Sequence, residues 1–150
     1  MLIEEEYTEE EIETELAPIS VQLAYVQQAL GNSGDAMTAY NNILKQKLAD
    51  APSIAVATNN LIALKGAKDV FDGLKKFDKL IDKSGAGQGL QLADSLEHKL
   101  SARQKEVIYC KRLLLLRDID GAEAVFNASI EWWSSNMGYS SYRYCKSRNL

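Results

Sequence analysis

Few residues in this chain have the type and spacing to do chemistry. The one glycine-rich loop, Gly85-Ala86-Gly87-Gln88-Gly89, would need a preceding strand, a following helix and a closing Gly-Lys-Ser/Thr to cradle a phosphate. It follows a helix-patterned stretch and lacks the lysine, so it reads as a linker. His98 is the only histidine and has no second His, Cys or paired carboxylate at metal-ligand spacing; it reads as an exposed polar residue. Cys110 has apolar neighbours and no nearby histidine, the setting of a small packed hydrophobe rather than of an activated nucleophile. Asn127-Ala128-Ser129 fits a glycosylation sequon, but the N-terminus is acidic where a secretion signal would be basic and then apolar. Trp132 and Trp133 are adjacent on a helix and cannot face one side; Trp133 reads as core and Trp132 as core edge or contact site. No catalytic residue, cofactor or metal is assigned, and the chain reads as non-enzymatic.

Composition sets the frame for those residues. With 150 residues, 46% apolar and 25% charged, the chain has the size and make-up of one globular domain. Two prolines and few β-branched clusters favour helix. The longest aliphatic run, Leu113–Leu116, is far short of the roughly 20 residues that span a bilayer, which predicts no membrane insertion. Two cysteines make no disulfide framework, and the expected compartment is the reducing cytoplasm. The net charge of −4 hides an asymmetry, because eight of the 21 acids are glutamates between Glu4 and Glu15, where no base occurs. The rest of the chain is basic, and residues 1–15 read as an acidic flexible leader.

From Pro18 a helix is expected to Leu30, with Ile19, Leu23, Val26 and Leu30 as its buried stripe. Gly31–Gly34 makes a turn, and Asp35 is placed as the N-cap of a second helix reaching about Ala49. Asp50–Ser53 breaks that helix and caps a third, carrying Ile54, Leu61 and Leu64. After Lys65-Gly66, a fourth helix turns Val70, Leu74, Phe77 and Ile81 inward and Lys75, Lys76 and Lys79 outward. Residues 83–89 form a flexible loop. A short helix with Leu92, Leu96 and Leu100 follows, then one opened by a Ser101/Gln104 capping box and carrying Val107, Ile108, Cys110 and Leu113–Leu116. The last helix places Ala122, Phe126, Ser129 and Trp133 on one face. Residues 138–150 lack periodicity and are expected to be a disordered tail. The prediction is seven antiparallel helices and no strand, in a helical domain over residues 16–137.

Two of those helix pairs repeat. Ala29-Leu30, Asp35, Ala36, Tyr40 and Ile43 return 34 residues on as Ala63-Leu64, Asp69, Val70, Leu74 and Phe77. A period of 34 with helix-turn-helix content is the mark of tetratricopeptide (TPR) repeats, so the expected fold class is all-α, a TPR-like α-solenoid.

Three stretches carry a more specific likeness: PISVQLAYVQQALGNSGDAMTAYNNIL, VATNNLIALKGAKDVFDGLKKFDKL and LEHKLSARQKEVIYCKRLLLL. They resemble the TPR region of the 72-kilodalton subunit family of the signal recognition particle, plant forms in particular, from about Glu13 to Leu116. Asn59-Asn60 followed by Val70-Phe71-Asp72 would not be expected of a generic TPR protein. The resemblance implies a scaffold whose solenoid grips a segment of the 68-kilodalton subunit, on a cytoplasmic particle that delivers ribosomes to the endoplasmic reticulum. It implies contact positions on the concave face at Val21, Tyr25, Gln28, Ala55, Asn59 and Ile62, taking an extended or helical peptide.

Departures from the family pattern limit what carries over. That family has further repeats before this stretch, and a long continuation with a lysine-rich RNA-binding region after it. Neither is in this sequence, so particle RNA is expected as an indirect partner only. Asp118–Met137, with its Ile-Glu-Trp-Trp, resembles a piece from further along the family chain joined directly after Leu116, as in a shortened splice form or incomplete gene model. Two other readings compete. A TPR adaptor for chaperone C-termini would want Lys and Arg on the concave face, where Val21, Tyr25, Asn59 and Ile62 stand instead. A small RNA-binding protein would use Lys75, Lys76, Lys79, Lys83 and the Tyr139, Tyr142, Arg143, Tyr144, Lys146, Arg148 tail, a row that otherwise reads as solvated surface.

Overall fold

The computed structural model describes residues 7–46, 49–82 and 91–137. These carry seven α-helices, one 3-10 turn and no strand, in agreement with the all-α class read from the sequence. The chain divides into two compact units, Met1–Leu64 and Lys65–Leu150. The expected flexible loop at 83–89 and tail at 138–150 fall outside the described residues.

In the first unit, helix α1 spans Glu9–Ala29, α2 Ser33–Lys45, and α3 begins at Ala51 and ends at Lys65. The helix start lies well before Pro18 because Thr8 and Glu11 form a reciprocal capping box. The Glu11 carboxylate accepts from the Thr8 N–H at 2.9 Å, and Thr8 Oγ1 accepts from the Glu11 N–H at 3.2 Å. That bond from the Thr8 backbone holds the Glu11 carboxyl below the usual carboxylate range. Glu9, Glu10 and Glu11 complement the positive end of the helix dipole, so part of the expected acidic leader is helical. Pro18 therefore sits inside α1 rather than in its first turn. The helix closes on a Schellman arrangement: Asn32 N–H donates to the Gln27 carbonyl, Gly31 N–H donates to that of Gln28, and Gly31 adopts a φ of 84°.

Which face of α1 is buried differs from the expectation. Ala17, Val21 and Ala24 point inward, whereas Ile19, Leu23, Val26 and Leu30 are exposed. Small side chains on the inner face let α2 approach closely, and α2 answers with Ala36, Tyr40 and Ile43, all buried. Asp35 lies in the first turn of α2 and is not its cap, a position held by Asn32, whose side chain donates to Gln27 Oε1 at 2.7 Å instead of capping the helix. Asp50 accepts from the Ser53 N–H at 3.2 Å and so starts α3. That helix is buried over much of its circumference, and its Ala57 and Leu61 complete the core of Val21, Ala24, Ala36, Tyr40 and Ile43.

The second unit opens at Lys65, and Gly66, with a φ of 62°, turns the chain into the 3-10 turn Gly66–Asp69. Helix α4 is Val70–Asp78, capped by the Asp69 carboxylate on the Asp72 N–H, with Phe77 buried. Asp72 pairs with both Lys65 and Lys76. Ile81 bridges to Leu92, and the backbone bonds of Ala93 to Leu80 and Asp82 to Gln91 are each 2.9 Å. After the single turn α5, Asp94–Glu97, helix α6 runs Ala102–Arg117 from the expected Ser101/Gln104 capping box. Helix α7 is Glu123–Met137. Phe77, Leu92, Leu96, Leu100, Ile108, Leu113 and Trp133 are buried in this unit, as the apolar spacing predicts.

Candidate partner-binding surfaces

Three helices of the first unit meet through a polar relay that sequence spacing does not reveal. The Tyr40 hydroxyl on α2 donates to Gln28 Oε1 on α1 at 2.9 Å. It accepts from Asn60 Nδ2 on α3 at 3.1 Å, and Asn60 Oδ1 accepts in turn from Asn59 Nδ2 at 3.2 Å. The Tyr40 ring is wholly buried, and burial pushes its phenol above the usual value despite the Asn60 bond. The group is thus held neutral, as a hydroxyl that both donates and accepts. Asn59 Oδ1 is a buried acceptor with no hydrogen-bond partner among the described residues. Asn59-Asn60 drew attention as a sequence signature; the partner that makes it a structural device is the tyrosine twenty residues earlier.

The six sequence-expected contact positions fall into distinct environments. Tyr25 is 52% exposed, on the flank of α1. Gln28 is half-buried and committed to Tyr40. Val21, Ala55, Asn59 and Ile62 are buried, with Val21 in the α1–α2 core. An exposed ring next to a relay of amide groups can bury apolar surface on a partner while the amides set its register.

A second surface is the outer side of α1. Ile12, Leu16, Ile19, Leu23, Val26 and Leu30 are all exposed, with Leu30 at 69%. Isolated exposed apolar residues are ordinary, but an unbroken row of six along one helix marks a contact face.

In the second unit, Tyr109 accepts from the Leu92 N–H at 2.8 Å and lies 3.5 Å from Glu97, which pairs with Lys105 at 2.9 Å. Burial drives the Tyr109 phenol far above its ordinary value. Trp132 is half-buried with its ring centroid 5.2 Å from that of Tyr109, so it forms the edge of the core. Arg112 is buried beside Asp78 at 3.7 Å, which the run of leucines around it did not suggest. Cys110 is buried, as expected of a small packed hydrophobe. His98 is exposed. Among the described residues no three His, Cys, Asp or Glu side chains gather to hold a metal, and no helix is long and apolar enough to cross a membrane.

Comparison with known proteins bears on which partner such surfaces serve. Over 116 residues the chain is 35% identical to signal recognition particle subunit SRP72 of Homo sapiens, covering 77% of this chain and 16% of that protein. The Schistosoma mansoni subunit SRP72 is 33% identical over 100 residues, 67% of this chain and 13% of the relative. That of Dictyostelium discoideum is 33% identical over 110 residues, 73% and 16% respectively. This is an SRP72-like chain. It spans about one sixth of the length of the curated relatives it matches. No family model and no solved structure matches it. The SRP72-like stretch is long enough to take in much of both compact units.

Proposed function

We propose that this chain is a non-enzymatic scaffold subunit of the signal recognition particle, acting in cotranslational targeting of proteins to the endoplasmic reticulum. In this reading its first unit is a TPR-type module that binds a segment of the 68-kilodalton subunit in the cytoplasm. Particle RNA is reached only through that partner, and no cofactor takes part. The observation that carries the reading is the similarity to SRP72 from four organisms over 67–77% of the chain. Two structural features support the finer part. The α1–α2 hairpin turns on Gly31, and Tyr25 stands exposed three residues before Gln28, which the Tyr40 hydroxyl links to Asn60. Tyr25 is the proposed apolar anchor, Gln28 and Asn59 the polar positions, and Val21, Ala55 and Ile62 the buried support behind them.

Calorimetric titration of the purified chain with the 68-kilodalton subunit's TPR-binding segment tests this. Saturable binding is expected, weakened about tenfold or more by Tyr25→Ala, the size of effect that an exposed aromatic anchor carries. No binding by a chain whose circular dichroism remains helical would overturn the partner assignment. The RNA-binding alternative draws less support, because Lys76 in its lysine row is paired with Asp72.

A further inference from the structure

The polar relay of the first unit runs in one direction, and that direction decides what it offers a ligand. Asn59 Nδ2 donates to Asn60 Oδ1, Asn60 Nδ2 to the Tyr40 hydroxyl, and that hydroxyl to Gln28 Oε1. With every amide turned over, the same groups would still meet, but the two ends would differ. At one end Asn59 is 7% exposed, and the atom it has left over lies buried with no hydrogen-bond partner among the described residues. In the observed sense that atom is the carbonyl oxygen. In the reversed sense it would be the NH2 group, and a buried donor without an acceptor is the rarer and more destabilising case. The buried Asn59 end therefore fixes the sense of the whole relay.

The other end is Gln28. Its oxygen is committed to Tyr40, so the group left over is its amide NH2, which makes no hydrogen bond among the described residues. Gln28 is only half-buried, and Tyr25, one turn earlier on the same side of α1, is 52% exposed. The ligand group that fits is an acceptor. Residues Tyr7 to Leu44 and Asp50 to Leu64, which carry the entire relay, include no lysine or arginine, so a carboxylate would find its charge unanswered there. A neutral carbonyl is the better match. We propose that Gln28 Nε2 donates to a main-chain carbonyl of the bound segment, beside the residue that Tyr25 covers, and that the segment is extended at that point. Carbonyls inside a helix already accept from the N–H four residues on, whereas an extended segment brings them free. The inference rests on the partner-binding reading of this unit and adds to it the chemistry that Gln28 reads. Tyr40 and Asn60 are then positioning residues, and Asn59 sets their sense from within.

Gln28→Glu tests this, because its carboxylate still accepts from Tyr40 but presents oxygen where the NH2 group stood. Calorimetry with the 68-kilodalton segment should show affinity lower by about tenfold or more at unchanged helicity. The loss should persist at raised salt, as a contact effect does and a long-range charge effect does not. In the parent chain, the Gln28 side-chain NH2 resonances, assigned through their own backbone, should move when the segment is added, and this reading decides the matter if Gln28→Glu unfolds. Segments with one main-chain ester in place of each amide in turn locate the accepting carbonyl, since an ester carbonyl is the weaker acceptor. One position should weaken binding to the parent severalfold and make no further difference in Gln28→Glu. Equal affinity of parent and Gln28→Glu, Gln28 resonances that stay put at saturation, or no ester position coupled to Gln28 would each overturn the inference and leave the partner reading standing. A helical parent chain that binds no segment at all overturns both.

Discussion

Tyr40 and Tyr109 do comparable work in the two units, each lending a buried hydroxyl to groups that would otherwise lack a partner. Tyr40→Phe keeps the ring and removes the link between Gln28 and Asn60. The expected loss is roughly 1–2 kcal/mol in urea unfolding, the cost of stranded polar groups less what water recovers at half-buried Gln28 and Asn60. Asn60→Ala should lose less when Tyr40 is already Phe, a coupling that a double-mutant cycle reads directly. Tyr109→Phe strips the acceptor from the Leu92 N–H and should cost roughly 1–3 kcal/mol. Both phenols are held neutral by burial, which sets the sign of a pH effect. Near the ordinary tyrosine value of about 10, the unfolded chain sheds these protons first and the folded chain keeps them. The folded state then binds more protons, so stability falls as pH rises through that value. Lys111, whose pKa burial lowers, works in the opposite direction, so the informative quantity is the difference between the parent and Tyr109→Phe. The parent should lose more stability on alkalinisation than the variant, followed by urea midpoints across the alkaline range.

Along α1 the division between a small inner face and a large outer one makes a prediction that reverses the usual hydrophobic ranking. Ala24 is fully buried and Leu23 is 61% exposed. Ala24→Leu should therefore cost roughly 1–3 kcal/mol by forcing α1 off α2, while Leu23→Ser should shift stability by no more than about 0.5 kcal/mol. Thermal melts of the two variants check it, and a large loss at Leu23 would mean the ridge is covered within the chain. The same helix shows why its orientation was not legible beforehand. Spacing finds a stripe but not its partner, and α1 carries two, Ala17–Val21–Ala24 and Ile12 through Leu30; size alone favoured the wrong one as core. Where a helix has one apolar face, the reading held: Ala36, Tyr40 and Ile43 on α2, and Ser129 with Trp133 on α7, are buried as their spacing requires. The Ser101/Gln104 cap was legible because it is local, but locality was not enough elsewhere: the Thr8/Glu11 box lay hidden in the acidic run, and Asp35 proved to be a first-turn residue rather than a cap. The relay through Gln28, Tyr40 and Asn60 was not legible, since it joins three helices and depends on how they pack.

At the scale of the whole molecule, the question is whether the two sides of α1 act separately in a chain that spans about one sixth of its relatives. Residues 23 and 25 are neighbours in sequence, yet at about 100° per residue they point in nearly opposite directions. Tyr25→Ala should weaken binding of the 68-kilodalton segment, whereas Leu16→Ser with Leu23→Ser should leave that affinity within about twofold, as expected of residues that share no partner. Calorimetric titration of both variants is the direct measurement. A comparable loss in the serine pair would instead merge the outer ridge and Tyr25 into a single contact surface.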